Sequence, residues 1–467
     1  MREPPVKKIL YWCRACNVPL LGKSCGCGAE GDRIQLLKPY DVRPALDADR
    51  ELLSQRLFGQ FGISELPAVV LLNKTGGLDR NDLVIANGAR FGWLSYHPLE
   101  KGWSFIPEFD ALPWLLSRAV KGFVDLEAAY SGKEPISDRR IGGKRLIVSG
   151  TIPKGPVLLR YKGLAGIGTS GEGYIRVRKL GRTETGNFQD PGWGTVVERN
   201  RQHLKNLERH AVRFIRQHMN DRPHVNVSFS GGKDSTAALE LARRAGVTES
   251  YYVDTGMEFS ETLTFIDTLK VPVRLYGGGL FHLVNRQGPP KKDNRWCCEE
   301  LKLRPVRDWL AGKECVTIQG NRWYESFSRS EIPPVCENPY YPGQLNISPI
   351  RNWRALEVFL YIWWRKLPLH PLYNLGMERI GCWMCPAMLE SEFEVVKKIH
   401  PDHYQHWMDV LKAYYKGKKL PDTFFRCGLW RWDKLPPKME QLLGEKSRAS
   451  KPAGLPKTSG RRISRAS

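Results

Sequence analysis

At 467 residues, with 72 lysines and arginines against 49 acids and a formal net charge of +23, the chain is long enough for two or three domains and has a strong preference for anions. Such an excess suits nucleic acid better than a small dianion, which needs only a local cluster of cations. No apolar run approaches the ~20 residues of a membrane-spanning helix, and Val358–Trp364 reads instead as a buried helix face.

The amino terminus, Met1-Arg-Glu-Pro-Pro-Val-Lys-Lys, lacks a hydrophobic secretory segment. A reducing, cytoplasmic setting is therefore expected, and the eleven cysteines are not read as a disulfide framework. Cys13-Arg-Ala-Cys16 and Cys25-Gly-Cys27-Gly form two short knuckles in which glycine lets backbone N–H groups turn toward thiolate sulfur. Residues 1–40 look like a small zinc ribbon with Cys13, Cys16, Cys25 and Cys27 as ligands. The Cys25-x-Cys27 spacing departs from C-x₂-C, so an unmetallated turn and an iron site stay open.

Residues 41–120 mix helix and strand signals. From 121 to 182 the pattern becomes short strands between glycine turns: Lys144–Ser149, Gly155–Arg160, Leu164–Gly168 and Gly173–Arg178. Ile175 and Val177 alternate with Arg176 and Arg178, which gives one apolar and one cationic face. The arrangement is similar to a PUA domain, an RNA-binding β-barrel, and a barrel serving as a spacer is the alternative. Residues 183–222 read as a turn-rich linker and a basic helix. Leu204, Leu207, Ala211, Phe214 and Ile215 mark its apolar side, and Arg199, Arg201, Lys205, Arg209, Arg213 and Arg216 cover the others.

Residues 223–433 carry the chemistry. The apolar run Val225–Phe229 leads into Ser230-Gly-Gly-Lys-Asp-Ser235, and a helical pattern follows from Thr236 to Ala245. Strand, glycine turn and helix aim backbone N–H groups at a phosphate, while Lys233 adds a mobile charge. A second buried strand ends at Asp254-Thr255-Gly256, before a helix that starts near Ser260 with Glu261 in its first turn. In a doubly wound sheet both segments open onto one crevice. The thiols Cys297, Cys298, Cys382 and Cys385 supply four soft ligands, which suit a [4Fe–4S] cluster better than zinc because adjacent cysteines strain a small tetrahedral site. Buried structural cysteines are the alternative there, and they are the reading for Cys315 and Cys336. The Lys/Arg/Ser-rich tail, residues 434–467, is expected to be disordered.

SGGKDS resembles the pyrophosphate (PP) loop of enzymes that cleave ATP between its α and β phosphates. Asp254-Thr-Gly-x-x-Phe-x-Glu-Thr262 resembles the second motif of the phosphoadenosine phosphosulfate (PAPS) reductase family. Cys297-Cys298 before Leu301–Val306, Gln319-Gly-Asn-Arg322, Asn346–Trp353, Leu367–Tyr373 and Ile380–Cys385 keep that family's order. The resemblance covers Val225 to Trp432 and implies a doubly wound, adenine nucleotide α-hydrolase-like sheet. It implies nucleotide contacts from Ser230, Gly231, Gly232, Lys233, Asp234, Ser235, Asp254, Thr255, Gly256 and Arg322, catalytic roles for Lys233 and Asp234, and a cluster on the CC…CxxC set. Arg426-Cys427-Gly-Leu-Trp430 resembles the family's ECGLH, whose cysteine attacks sulfur. Here Arg426 and Trp430 replace the flanking residues, so an aromatic plug is the rival reading.

Three functions fit. The first is ATP-dependent thiolation of RNA (tRNA or rRNA), with Mg²⁺ accompanying ATP, sulfur delivered by the cluster or Cys427, and a sulfur or electron donor such as a thioredoxin-like reductant. The intact SGGKDS and the basic amino-terminal half, expected to bind RNA by itself, favour it. The second is reduction of adenylyl sulfate or PAPS to sulfite. The third is a non-catalytic RNA-binding iron–sulfur protein.

Overall fold

The computed structural model describes residues 6–131, 142–150, 152, 154–183 and 189–444. Among the described residues, four sheets hold the strands. β1 (Ile9–Cys13), β2 (Val18–Leu20) and β3 (Asp32–Gln35) form a small antiparallel sheet of order β2-β1-β3. β4 (Val42–Pro44), β5 (Val70–Lys74), β6 (Asn81–Ala86), β7 (Ala89–His97) and β8 (Gly102–Pro107) make an antiparallel meander. Helix Asp47–Phe61 covers it with Leu53, Leu57 and Phe61, apolar residues at steps of four.

The third sheet has the order β10-β13-β12-β11-β9, from β9 (Phe123–Asp125), β10 (Arg145–Ile147), β11 (Gly155–Tyr161), β12 (Leu164–Ser170) and β13 (Tyr174–Gly181). Its four later strands fall where the glycine turns place them, and Ile175 and Val177 are buried while Arg176 is exposed. Among the described residues the sheet is not closed by a strand ladder: one bridge, Tyr130 to Val148, links the segments that follow its two edge strands.

The fourth sheet has the order β16-β15-β14-β17-β19-β18, from β14 (His224–Phe229), β15 (Ser250–Asp254), β16 (Val273–Tyr276), β17 (Cys315–Ile318), β18 (Val335–Asn338) and β19 (Tyr341–Ile347). All its pairs are parallel except β18 with β19. Successive residues of β15 face opposite layers. Tyr252 joins the core under helix Lys233–Ala245, while the Tyr251 ring sits 5.0 Å from Trp309 of helix Arg304–Leu310. This is the doubly wound sheet expected from the motifs. Its strand order reverses between β14 and β17, and that is where such sheets open a crevice.

Two expectations are corrected. The basic tail was expected to be disordered from residue 434, but Pro437–Gly444 is a helix, with proline at a position that needs no N–H and Met439 and Leu442 buried beside Cys427 and Leu429. Residues 445–467 lie outside the described residues. The amino-terminal half was also read as separable from the parallel sheet, yet Leu10, Trp12, Leu20 and Val42 share one core with Leu204, Val227, Ile318 and Leu356. Removing residues 1–181 would uncover that core.

Ion pairs close the same boundary. Glu378 is met by Arg43 at 3.6 Å, Lys74 at 2.8 Å and Arg80 at 3.1 Å. Burial opposes its charge, but Lys74 and the two arginines outweigh that and hold its carboxyl well below the ordinary range. Breaking a buried pair from one side typically costs about 3–5 kcal/mol. Arg80 keeps Asp49 and Asp82, so Glu378→Gln is expected to lower unfolding free energy by about 3 kcal/mol in urea titration.

Candidate active site at the switch point of the parallel sheet

The phosphate loop leaves β14 at Ser230. Gly231 has φ 76°, a left-handed conformation that favours glycine, and a Cβ there would meet Thr262 Cγ2 at 3.1 Å. Helix Lys233–Ala245 begins three residues earlier than the apolar pattern predicts, so Lys233, Asp234 and Ser235 occupy its first turn. Ser235 Oγ donates to Gly232 O at 2.9 Å and accepts from Ser230 N at 3.2 Å. Ser230 Oγ lies 3.1 Å from it and donates, since the Ser235 proton is already used. Tyr373 OH accepts the Lys233 N–H at 2.9 Å.

Charge in this loop alternates. Lys233 Nζ is 2.9 Å from Asp234 Oδ2, Arg322 Nε is 2.7 Å from Asp234 Oδ1, and Arg322 Nη1 and Nη2 donate to the two oxygens of Asp41 at 3.0 and 3.1 Å. Asp41 also accepts from Ala355 N at 2.7 Å, at the start of helix Ala355–Trp364. Burial disfavours ionised Asp234, but Arg322 and then Lys233 outweigh it and its pKa falls. Burial likewise opposes the Lys233 charge, and Asp234 restores it. Gly320 makes the arrangement fit, because a Cβ there would stand 2.7 Å from the Asp234 carbonyl carbon. The structure thus places Arg322 differently from the sequence reading: 2% exposed, with its guanidinium committed to Asp41 and Asp234, it braces the loop rather than facing an open crevice.

The strand β15 delivers Asp254, Thr255 and Gly256 to the same end of the sheet. Asp254 accepts from Gly256 N at 2.8 Å and is ion-paired with Arg274. Burial raises its pKa, and Arg274 and the Gly256 N–H outweigh burial to leave it low. Thr255 bonds Glu258 through N at 2.9 Å and through Oγ1, which also lies 3.4 Å from Cys382 Sγ. Trp383 N donates to Met257 O at 2.9 Å. His370, behind Gly231, accepts from Leu372 N at Nδ1, so its Nε2 carries the proton and donates to Thr262 Oγ1 at 3.0 Å. Burial lowers its pKa to about 4.

Cys382 and Cys385, in one turn, face Cys297 and Cys298 of helix Trp296–Cys298, which continues as a π-helical turn, Glu299–Leu303. The four thiols share one electrostatic neighbourhood. Cys297 donates to Cys298 and pushes the latter's thiol down to about 6, while burial takes Cys382 up to about 11. Lys302, chiefly through Cys382, is held above its ordinary pKa, and Arg379 and Arg295 add positive charge beside Cys298. A half-buried set of thiols ringed by cations can hold a metal centre.

Cys13, Cys16, Cys25 and Cys27 lie within 4.8 Å of one another, and among the described residues no other group closes so tightly. Cys13 and Cys27 sulfurs are 3.7 Å apart, close to the ~3.8 Å edge of a tetrahedron with 2.3 Å metal–sulfur bonds. The Ala29 N–H bond pushes the Cys27 thiol down to about 6. This set fits a single four-coordinate ion despite its C-x-C spacing.

Cys427 is a correction. It is 1% exposed, its thiol donates to Pro98 O at 3.6 Å, and burial pushes its pKa up, the reverse of what a nucleophile needs. Arg426 faces Asp422 at 3.6 Å. Trp430 packs 5.4 Å from Trp407 and 5.7 Å from Phe393, so this segment is the aromatic plug. Asp41, Tyr373, Glu258, Arg274 and Lys302 escaped the sequence reading. Asp41 left no local signal, being 281 residues from Arg322, whereas Lys302 sat in plain view after the paired cysteines.

Residues 224–388 match the phosphoadenosine phosphosulfate reductase domain. The chain is 27% identical over 198 residues to an adenosine 5'-phosphosulfate reductase of Allochromatium vinosum, covering 39% of this chain and 75% of that one. A solved PAPS reductase of Candida auris aligns with 39% of this chain and 96% of its own at 17% identity and a TM-score of 0.32. The uncharacterized protein MJ0973 of Methanocaldococcus jannaschii is 30% identical over 384 residues, 80% of this chain and 91% of that protein. The chain belongs to the family of MJ0973, and its residues 224–388 are similar to the phosphoadenosine phosphosulfate reductase domain.

Proposed function

We propose that this protein is a PP-loop enzyme that cleaves ATP and transfers sulfur to a base of RNA, either tRNA or rRNA. The observation that carries the reading is the wall shared by the two chemistries: Thr255 belongs to the loop at the phosphate crevice and touches Cys382 at 3.4 Å. A nucleotide-activated group held there would lie beside the four thiols. The residues Cys297, Cys298, Cys382 and Cys385 would hold a [4Fe–4S] cluster, which supplies electron transfer or a sulfur-binding iron site when bound. Zinc fits the amino-terminal cysteines, whose spacing matches one tetrahedral ion.

The chain's own part follows from the loop. The N–H groups of the glycine loop at Gly231 and Gly232 would receive phosphate oxygens. Lys233 pairs with Asp234 in the free site, and an incoming polyphosphate competes for that ammonium. Asp234 stays fixed by Arg322 while Lys233 turns to the leaving pyrophosphate, where charge develops. Mg²⁺ would enter with ATP. RNA as substrate is supported by the +23 charge and by the exposed Arg176 of β13, in the region likened to a PUA domain. Sulfur or electrons would come from a partner such as a thioredoxin-like reductant.

Sulfonucleotide reduction is the second reading, favoured by the kinship with the Allochromatium vinosum enzyme. The burial of Cys427 speaks against a mechanism that uses it as the nucleophile. With ATP and RNA, pyrophosphate release is expected, and Lys233→Ala should lower its rate by about 10²–10³. Sulfite from adenylyl sulfate, without pyrophosphate from ATP, would replace this reading with the second. An absence of both activities alongside tight RNA binding would support the non-catalytic alternative.

The metals separate by mutation. Anaerobically purified protein is expected to contain iron and zinc by elemental analysis. Cys298→Ala should remove iron and its broad visible absorbance while zinc stays, and Cys25→Ser should do the reverse. Unchanged iron in the first variant refutes the cluster assignment.

A further inference from the structure

Helix Arg201–His218 buries Leu204, Ala211 and Ile215, and presents Lys205, Arg209 and Arg213 to solvent at steps of four. Each step advances about 6 Å along one face. With Arg216 and Arg244 these cations line an open groove of about 730 Å³. Its one lining acid, Glu208, is already held by Arg365 Nε at 2.6 Å and Tyr361 OH at 3.0 Å. Arg244 has Glu240 at 2.6 Å. Among the described residues, Lys205, Arg209, Arg213 and Arg216 have no carboxylate partner.

Four like charges in one groove repel each other. A partner with regularly repeated anions relieves that repulsion at every step, whereas one compact anion meets only a single step. Arginine also binds phosphate in a bidentate manner. The groove lies near Arg244, at the far end of the 13-residue helix whose first turn is the phosphate loop, a distance of about 20 Å. A long ligand can therefore rest here without filling the crevice.

We propose that this groove is the docking surface for the sugar–phosphate backbone of the RNA substrate, an inference that rests on the RNA reading above. It grips the body of the RNA by charge alone and leaves base selection to the crevice.

The test uses the full-length protein and a fluorescent, unmodified tRNA transcript. The triple variant Lys205→Ala, Arg209→Ala, Arg213→Ala should bind at least about tenfold more weakly. The slope of log affinity against log salt should flatten by about 2–3, near 0.7–0.9 per lost phosphate contact. A control loses equal charge elsewhere, at exposed lysines with no assigned role, through Lys412→Ala, Lys416→Ala and Lys419→Ala, and should weaken binding less. Equal losses in the two variants would mean that net charge alone binds RNA, and would overturn the proposal. Polyglutamate displacing the RNA as well as unlabelled tRNA does would make the groove an acidic-peptide site instead. If the wild type binds and modifies RNA while the groove variant matches it, only this proposal falls. If the wild type binds no tRNA, the RNA reading falls with it.

Discussion

The position of Asp234 organises this molecule. Its carboxylate sits between Lys233 and Arg322, and Arg322 is gripped in turn by Asp41. Positive and negative groups alternate along four residues, so a buried stretch carries no net charge. Each member would be costly to bury by itself, and together they fix the first turn of the phosphate helix against the loop after β17. The strand order supplies the crevice, and this chain of charges sets its wall.

The clamp also explains why the amino-terminal half is inseparable from the sheet. Asp41 joins Arg322 to the start of helix Ala355–Trp364. In the same region Arg354 donates to Ile9 O at 3.1 Å, and Lys7 Nζ reaches Glu357 at 2.9 Å. Glu378, tied to three cations of the meander, stands four residues before Cys382. The loops that carry the thiols and the phosphate are thus braced by residues far upstream in sequence.

The parallel sheet was legible because each motif marks a strand end, where apolar runs stop and glycine begins. Ser230–Ser235, Asp254–Gly256 and Gln319–Arg322 all fall at such ends, and the structure brings the first and last into contact. The onset of the phosphate helix was misplaced because Lys233, Asp234 and Ser235 are polar, and a periodicity reading sees only apolar residues. Cys427 was legible as a motif but not as a burial: what seals it comes from Pro98, Leu99 and Met439, none of them near in sequence except the last. The helix at Pro437–Gly444 was hidden by the basic composition that follows it. Long-range pairing of charge leaves no periodic trace, which is why Asp41 went unseen.

The turn Glu299–Leu303 is wound more widely than an α-helix, and that has a geometric outcome. A π turn accommodates one residue more than an α turn, and one residue in a helix is about 100° of rotation. Lys302 lies inside this widened turn and reaches Cys382, Cys298 and Glu258, while Arg304 and Arg307 beyond it face solvent. Shortening the segment by a single residue would tighten the winding and swing everything on one side of it by roughly a quarter turn. The ammonium would leave the thiols and an uncharged or outward group would take its place, with composition otherwise unchanged. Spacing between the paired cysteines and the following basic helix is therefore as much a part of the site as the residues themselves.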